Sequence, residues 1–259
     1  MDPLNALLLA LVQGLTEFLP ISSSAHLALF PLLTGSADQG LAFDVAVHVG
    51  TLVSVVGCFR HELLRMLAGL GRAGDPEARL LGQLLLASVP LGLCGLLFAG
   101  AIEASLRSAT VIGVASIAFG IVLLLADRLG SRSRDEHGLT LGQALAIGAA
   151  QALALIPGTS RSGITMTAAL ALGLDRRAAA RFSFLLSIPA IVMAGGYAAL
   201  QLLQAPVEPA WGPLLLATVT AALSAWLCIR AFLAFVERVG MLPFVVYRVL
   251  LGALLLVLY

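Results

Sequence analysis

The chain has 259 residues, of which 60% are hydrophobic and only 11% are charged. This composition leaves too little polar surface to cover a water-soluble globule of that size, so it predicts an integral membrane protein. The fifteen basic residues are all arginine and stand against fourteen acidic residues, which gives a formal net charge of +1. A charge so close to zero implies no basic surface of the kind that nucleic-acid binding needs.

In chain order, the apolar segments divide into two interrupted regions and six continuous ones. Residues 4–34 and 141–172 are each broken by a serine-rich turn into pieces of roughly 10 to 16 residues, too short to cross a bilayer. The continuous segments, each near the roughly 20 residues that a transmembrane helix needs, are 41–59, 83–101, 108–127, 179–203, 211–233 and 239–259. The pattern predicts an all-α fold with six transmembrane helices and two re-entrant helical hairpins.

The two halves of the chain resemble each other. Gln13 and Ser23 flank the first turn as Gln151 and Ser160 flank the second, with one gap between the two stretches. Each half then has one hairpin and three spans, and because three is odd, the second half enters the membrane from the opposite side. We expect a single transmembrane domain, 1–259, built as an inverted-topology repeat whose hairpins meet near the midplane. The repeats cover about 1–130 and about 138–259.

Most of the arginines fall on one predicted face of the membrane. Twelve of the fifteen lie in the segments 60–82, 128–140, 173–181 and 230–238. The segments on the opposite face hold Arg107 among the acids Asp2, Asp38, Glu103 and Glu208. Since cytoplasmic loops carry the excess of basic residues, we expect the arginine-rich face to be cytoplasmic and both termini to lie outside.

Four polar side chains are expected to converge at the first turn. Gln13 and Glu17 share one face of the helix before it, and Ser23 and His26 share a face of the helix after it. Glu17 could serve as general base or hard-cation ligand, Ser23 as nucleophile or phosphate donor, and His26 as proton carrier or nucleophile. The structural alternative is that a serine caps the helix and His26 is a hydrogen-bonded core residue.

The second turn has the composition of an anion-binding site. A helix is expected to begin here, so unpaired N–H groups and the helix dipole favour an anion, and Arg161 adds a fork that suits phosphate oxygens. The alternative is that Arg161 pairs with Glu17 and only locks the two hairpins together. The residues predicted to bind substrate are Gln13, Gly158, Thr159, Ser160, Ser162 and Thr165.

Two further polar pairs fall within predicted spans. Asp44 and His48 share a helix face, where they could support the site, relay a proton, or only pack with a hydrogen bond. Arg248, beside Tyr247, falls midway along the last span, where an unpaired charge costs several kcal/mol. We expect Arg248 to pair with an internal acid or to reach toward the site.

Two motifs carry a resemblance to a known family. The run from Gln13 to His26, QGLTEFLPISSSAH, and the run from Pro157 to Gly163, PGTSRSG, resemble the signature motifs of the bacitracin-resistance family of undecaprenyl-pyrophosphate phosphatases. The likeness covers nearly the whole chain, because the length, the number of apolar segments and the repeat also agree. Members of known structure are similar to the fold predicted above.

The resemblance implies that the protein hydrolyses undecaprenyl diphosphate to undecaprenyl phosphate and phosphate, which recycles the lipid carrier of cell-wall synthesis. It implies a bacterial cytoplasmic (inner) membrane protein with an active site open to the periplasmic side. A divalent cation, Mg or Ca, is also implied.

The family's functional positions can be carried onto this chain. The acidic motif falls on Gln13 and Glu17, the serine and histidine on Ser23 and His26, and the arginine motif on Ser160 and Arg161. Many members have glutamate at the position of Gln13, so this site is expected to have one carboxylate rather than two. Ala25 also stands where the family usually has glycine.

We therefore expect a membrane phosphatase in which Arg161 and a helix N-terminus hold the phosphates, and Glu17 activates the nucleophile or binds the metal. Ser23 is the favoured nucleophile and His26 the second choice. The expected partners are the polyprenyl diphosphate substrate and the membrane, with a homodimer left open and no nucleic acid. The alternative is a transporter or flippase of the polyprenyl phosphate carrier, because inverted repeats with broken helices are typical of transporters.

Overall fold

Ten α-helices form most of the part of the chain that this computed structural model describes, which is residues 3–34, 39–106, 108–204 and 211–259. They are α1 Pro3–Thr16, α2 Ser23–Thr34, α3 Leu41–Gly69, α4 Pro76–Ser105, α5 Ala109–Leu129, α6 Leu141–Ala152, α7 Arg161–Ala171, α8 Arg176–Gln204, α9 Trp211–Val239 and α10 Leu242–Leu258. Two short 3-10 helices, Glu136–Gly138 and Leu153–Leu155, lie between α5 and α7. The described residues contain no β-strand, which confirms the all-α class for them.

Five of the six predicted spans are confirmed as helices long and apolar enough to cross a membrane, by length and composition. These are α3, α4, α5, α8 and α9, of which α3 continues ten residues past its apolar segment and α4 begins seven residues before its own. The sixth predicted span contains α10, which is apolar but has only 17 residues. At 1.5 Å per residue it reaches roughly 26 Å, just below the roughly 30 Å of bilayer hydrocarbon. The predicted count of six therefore stays a prediction.

Both interrupted regions are broken where the serine-rich turns predict a break. The first break separates α1 from α2, and the second separates the 3-10 helix after α6 from α7. A serine with a left-handed backbone ends each break, Ser22 with φ 71° and Ser160 with φ 69°. Such φ values are uncommon for residues other than glycine. The backbone therefore matches Ser22 with Ser160, without a gap, rather than Ser23 with Ser160 as the sequence alignment predicts.

The short helix α1 packs very closely against the long helix α9, and this contact positions the first break. A Cβ atom at Gly14 would overlap Ser224 Oγ and lie 2.6 Å from the carbonyl oxygen of Ala221, so only glycine fits there. Beyond the end of α1, Phe18 is fully buried and packs edge-to-face on Phe184 of α8, with ring centroids 5.3 Å apart. Residue 17 lies between these two contacts, which fix its position, and it is buried.

The four arginine-rich segments meet at one end of the bundle, as the charge pattern predicts. Arg181 bridges Glu62 (2.8 Å) and Glu136 (2.6 Å), which joins three of the segments. The backbone N–H of Arg177 donates to Glu237 Oε1 at 2.7 Å, which joins the fourth. Asp2, Asp38, Arg107 and Glu208, which the same pattern assigns to the opposite face, lie outside the described residues.

Candidate active site

A cavity of about 240 Å³ lies where the two breaks meet, and it is lined by both polar and apolar residues. The polar wall consists of Glu17, Ser22, Ser23, His48, Ser160 and Arg161. The apolar wall consists of Leu91 from α4, Ala154 and Leu155 from the 3-10 helix, and Ala190, Ile191 and Ala194 from α8. A charged or polar group could contact the first wall while a hydrocarbon group contacts the second.

Glu17 is the centre of the polar wall, and each of its oxygens accepts a different kind of hydrogen bond. Oε1 accepts from Arg161 Nη2 at 2.7 Å. Oε2 accepts from the Ser23 hydroxyl at 2.7 Å and from Gln13 Nε2 at 3.0 Å. The structure thus brings Gln13, Glu17 and Ser23 together, and it also makes the Glu17–Arg161 pair that the structural alternative predicts.

Arg161, at the second break, contacts helix α8 as well as Glu17 at the first break. Its Nη1 donates to the carbonyl oxygen of Ser183 at 3.2 Å. The neighbouring Ser162 donates from Oγ to the carbonyl oxygen of Leu19 at 2.8 Å, so the two breaks share a second contact. Arg161 also lines the cavity. Its contacts with Glu17 and Ser183 therefore leave it available to an anion in the cavity.

The N-terminus of α7 lies at the second break and borders the cavity. Ser160 caps this helix, because its Oγ accepts from the backbone N–H of Gly163 at 3.1 Å. The first N–H groups of a helix have no acceptor within the helix, and the helix dipole makes that end electropositive. The guanidinium of Arg161 therefore lies beside an end of α7 that favours an anion.

Five of the six predicted substrate-binding residues, all except Ser160, lie behind the cavity wall rather than on it, and Gln13 among them is fully buried. Gly158 has φ 91°, and a Cβ atom there would overlap the carbonyl oxygen of Ile112, so the turn requires glycine. Thr165 is buried and its Oγ1 lies 2.7 Å from Ser183 Oγ, which ties α7 to α8 instead of facing the cavity. Thr159 and Ser162 are also buried and are absent from the lining.

The structure gives the two histidines near the site different positions. His26 does not line the cavity: its Nδ1 donates to the carbonyl oxygen of Ser22 at 2.7 Å, and its Nε2 lies 2.5 Å from the Tyr247 hydroxyl. His48 does line the cavity, with Nε2 at 3.3 Å from Gln13 Nε2 and 4.0 Å from Glu17 Oε2. The spacing of Asp44 and His48 pointed to this residue, but its Nδ1 donates to the Asp44 carbonyl oxygen, 2.7 Å away.

The residues present fit a divalent cation only if most of its ligands come from elsewhere. No group of three or more His, Cys, Asp or Glu side chains with metal-site geometry occurs in the described part of the chain. An ionised carboxylate has about four lone-pair directions, and three of those of Glu17 already accept hydrogen bonds. The neighbouring Gln13 Oε1 is buried and has no hydrogen-bond partner among the residues that the structure describes. One or two protein oxygens, completed by phosphate oxygens and water, match how Mg²⁺ is usually held.

The fold and this site together define a class: a multi-pass helical membrane protein with a cavity lined by an arginine, a carboxylate and a hydroxyl that the carboxylate binds. The family model described as Bacitracin resistance protein BacA matches residues 6–254, so the chain belongs to that family.

Relatives match the chain along its full length. An undecaprenyl-diphosphatase of Thioalkalivibrio sulfidiphilus is 57% identical, with all of both chains covered. Undecaprenyl-diphosphatase 2 of Stutzerimonas stutzeri is 56% identical over all of this chain and 99% of its own. An undecaprenyl-diphosphatase of Campylobacter concisus is 49% identical, again with all of both chains covered.

Proposed function

We propose that this protein is an integral membrane phosphatase that hydrolyses undecaprenyl diphosphate to undecaprenyl phosphate and inorganic phosphate. Its full-length likeness to proteins named undecaprenyl-diphosphatase supports the substrate and favours the phosphatase over a transporter or flippase. The observation that carries the chemistry is the hydrogen bond from the Ser23 hydroxyl to Glu17 Oε2 at 2.7 Å, beside Arg161 in the cavity wall. A carrier would need the anion-binding groups but not this pairing of a nucleophile with a base.

In the first step, Glu17 takes the proton of Ser23 while Oγ attacks the terminal phosphorus. The bond from that phosphorus to the bridging oxygen breaks, and undecaprenyl phosphate leaves with the electron pair of that bond. Arg161 and the N-terminus of α7 offset the charge on the transferring group, which is the main contribution an enzyme makes to phosphoryl transfer. His26 is a weaker candidate nucleophile, because it does not line the cavity and both of its ring nitrogens already have hydrogen-bond partners.

In the second step, water attacks the phosphoserine and inorganic phosphate leaves. Glu17 returns its proton to the departing Ser23 oxygen, and both protons of the water stay on the phosphate. The Arg161 contact with Glu17 Oε1 keeps the other oxygen, Oε2, directed at Ser23 in both steps. Gln13, whose amide also donates to Oε2, helps to orient the same carboxylate.

We also propose a divalent cation, Mg or Ca, at Glu17. Glu17 would supply one oxygen and the diphosphate would supply most of the others, with the buried Gln13 Oε1 as a further oxygen nearby. When bound, the cation would offset negative charge on the diphosphate.

The lipid chain of the substrate is proposed to leave along the apolar wall. A cavity of about 240 Å³ can hold the polar head but not a long polyprenyl chain. Leu91 and Ala190 come from α4 and α8, and each follows a proline inside its helix, Pro90 or Pro189. Proline removes a helix hydrogen bond and bends the helix, which favours a lateral opening between α4 and α8.

The finer topology is part of the same proposal: six spans and two re-entrant hairpins in an inverted repeat, with the site open to the periplasm. The helix contacts support the repeat, because α1 packs on α9 as α6 packs on α4, and these pairs exchange when the halves are exchanged. The concentration of arginines supports a cytoplasmic assignment for the arginine-rich end and therefore a periplasmic one for the opposite end of the bundle. A homodimer stays a prediction.

The test is phosphate release from undecaprenyl diphosphate by the purified protein in detergent, with an acid quench during turnover. Mass spectrometry should find a phosphate on the peptide that contains Ser23. Ser23→Ala should abolish the adduct and lower turnover on the order of a thousandfold. Ser133→Ala, at the arginine-rich end, is the matched control and should keep normal turnover.

The experiment tests the identity of the nucleophile separately from the phosphatase activity. Release of phosphate without an adduct, and with a rate that depends on Glu17, would replace Ser23 by water as the nucleophile. No release from the wild-type protein, combined with lipid movement in vesicles, would overturn the phosphatase and favour the flippase.

A further inference from the structure

Arg248 of α10 is fully buried and has no carboxylate partner among the described residues. The sequence predicts that it pairs with an internal acid or reaches toward the site, and the structure rejects the first alternative. Its Nε donates to the Ser116 carbonyl oxygen at 3.1 Å, and its Nη2 donates to those of Gly158 (2.9 Å) and Thr159 (2.8 Å). Its Nη1 has no hydrogen-bond partner in the described part of the chain.

An unpaired buried charge is costly in a membrane protein, so this arrangement needs a reason. The other arginines with well-buried partners, Arg161, Arg176 and Arg181, each contact a carboxylate. Arg248 instead contacts the backbone of the turn that leads into α7. The buried charge of Arg248 is therefore stabilised by the carbonyl oxygens of the turn that precedes Arg161.

The contact with Arg248 determines how this turn presents its backbone. In a trans peptide the carbonyl oxygen and the following N–H point in opposite directions. With the Thr159 carbonyl held by Arg248, the Ser160 N–H points away from α10, and Ser160 lines the cavity. Ser160 is also held at φ 69°, a strained value that persists only where the surroundings enforce it.

The residue before Arg248 reaches the other break in a similar way. Tyr247 lies 2.5 Å from His26 Nε2, and the two rings stack with centroids 5.6 Å apart. His26 in turn donates from Nδ1 to the carbonyl oxygen of Ser22, the second serine with a left-handed φ. Because the carbonyl can only accept, Nδ1 carries the hydrogen and Nε2 of the neutral ring accepts from the Tyr247 hydroxyl.

We infer that Tyr247 and Arg248 form one bracing pair that positions both breaks of the active site. Arg248 orients the phosphate-binding turn directly, and Tyr247 acts through His26 on the turn that precedes Ser23. Both are positioning residues, since neither lines the cavity. The inference rests on the proposed function for its kinetic consequences but not for its structural ones.

The test combines kinetics with hydrogen exchange on the full-length protein in detergent. Arg248→Lys keeps a charge but cannot reach several carbonyl oxygens in one plane. It should lower kcat per folded molecule on the order of a hundredfold, as misplacement of a binding group does, and raise KM. Amide exchange in the 156–162 peptide should become faster. Tyr247→Phe removes only a hydroxyl, so kcat should fall about fivefold with KM unchanged, and exchange should rise around residues 20–24.

Arg176→Lys is the matched control, because Arg176 is a partly buried arginine that binds Asp127, and neither residue lines the cavity. It should lower the thermal midpoint and leave kcat per folded molecule and exchange at both breaks unchanged. The inference is overturned if Arg248→Lys and Tyr247→Phe keep wild-type kinetics and exchange, or if they change only the thermal midpoint as the control does. Should Arg248→Lys not fold, Tyr247→Phe decides alone. A wild-type protein that releases no phosphate would overturn the proposed function, while the exchange results would still test the bracing.

Discussion

Arginine–carboxylate pairs occur both at the arginine-rich end and at the cavity, and the two differ in what else the carboxylate contacts. At the arginine-rich end, Asp127 gives both oxygens to Arg176, at 2.6 Å to Nε and 2.9 Å to Nη2. At the cavity, Glu17 gives one oxygen to Arg161 and the other to a hydroxyl and an amide. A carboxylate whose two oxygens both bind one arginine can only hold helices together. A carboxylate that binds an arginine with one oxygen and a hydroxyl with the other can also accept a proton from that hydroxyl.

The largest effect is expected from removing the charge of Glu17. Glu17→Gln should lower phosphate release on the order of a thousandfold, because general-base catalysis contributes factors of that size. The matched change at the other pair, Asp127→Asn, should lower stability on the order of 2 kcal/mol, because it removes the charged partner of Arg176, which is itself only partly buried. Turnover per folded molecule should survive in Asp127→Asn. Near-normal turnover in Glu17→Gln would exclude this residue as base and as metal ligand.

Removal of divalent cations should have the next largest effect. A chelator is expected to stop nearly all turnover, and Mg or Ca should restore it, because Arg161 alone cannot offset the negative charge of a diphosphate placed beside the Glu17 carboxylate. The melting temperature should change little, since the arginine-rich end already neutralises its carboxylates without metal. Turnover that continues unchanged in chelator would contradict the cation proposal and leave the role of Glu17 as base intact.

Arg161→Lys sharpens the comparison between the two arginine pairs. Lysine keeps the charge but loses the planar fork that reaches Glu17 and Ser183 together, so turnover should fall on the order of a hundredfold. Thermal stability and phosphate release are measured side by side. If the loss of activity followed the loss of folded protein, Arg161 would be a structural lock like Arg176. Rescue of folding by the exchanged pair Glu17→Arg with Arg161→Glu would support the same conclusion.

The smallest effect is expected from Gln13→Glu. Gln13 Nε2 donates to Glu17 Oε2 at 3.0 Å, so the new carboxylate would lie directly beside an existing one. Two such groups share a proton or recruit a cation, and the activity should change by about threefold or less. The rate, measured against Mg²⁺ concentration, should depend more steeply on the cation in the variant. An inactive, well-folded Gln13→Glu protein would show that the amide itself is required.

The sequence alone predicted the features that depend on neighbouring residues. Mean hydropathy over some twenty residues predicts a span, and serine, proline and glycine in a short run predict where a helix breaks. Ser23 and Glu17 are six residues apart on either side of one such break, so their contact follows from local chain geometry. The boundaries of α10 were less predictable, because Gly240, with φ 68°, ends α9 inside the apolar segment.

Only the tertiary structure decided which distant side chains share the cavity. Glu17 and Arg161 are 144 positions apart in the chain, and His48 rather than His26 lines the wall. A helical period tells which residues share a face, but the neighbour of that face depends on how helices far apart in sequence pack. The same holds for Arg248: its place in an apolar span shows that its charge is costly, whereas packing of α10 against α5 and the second break gives it carbonyl partners.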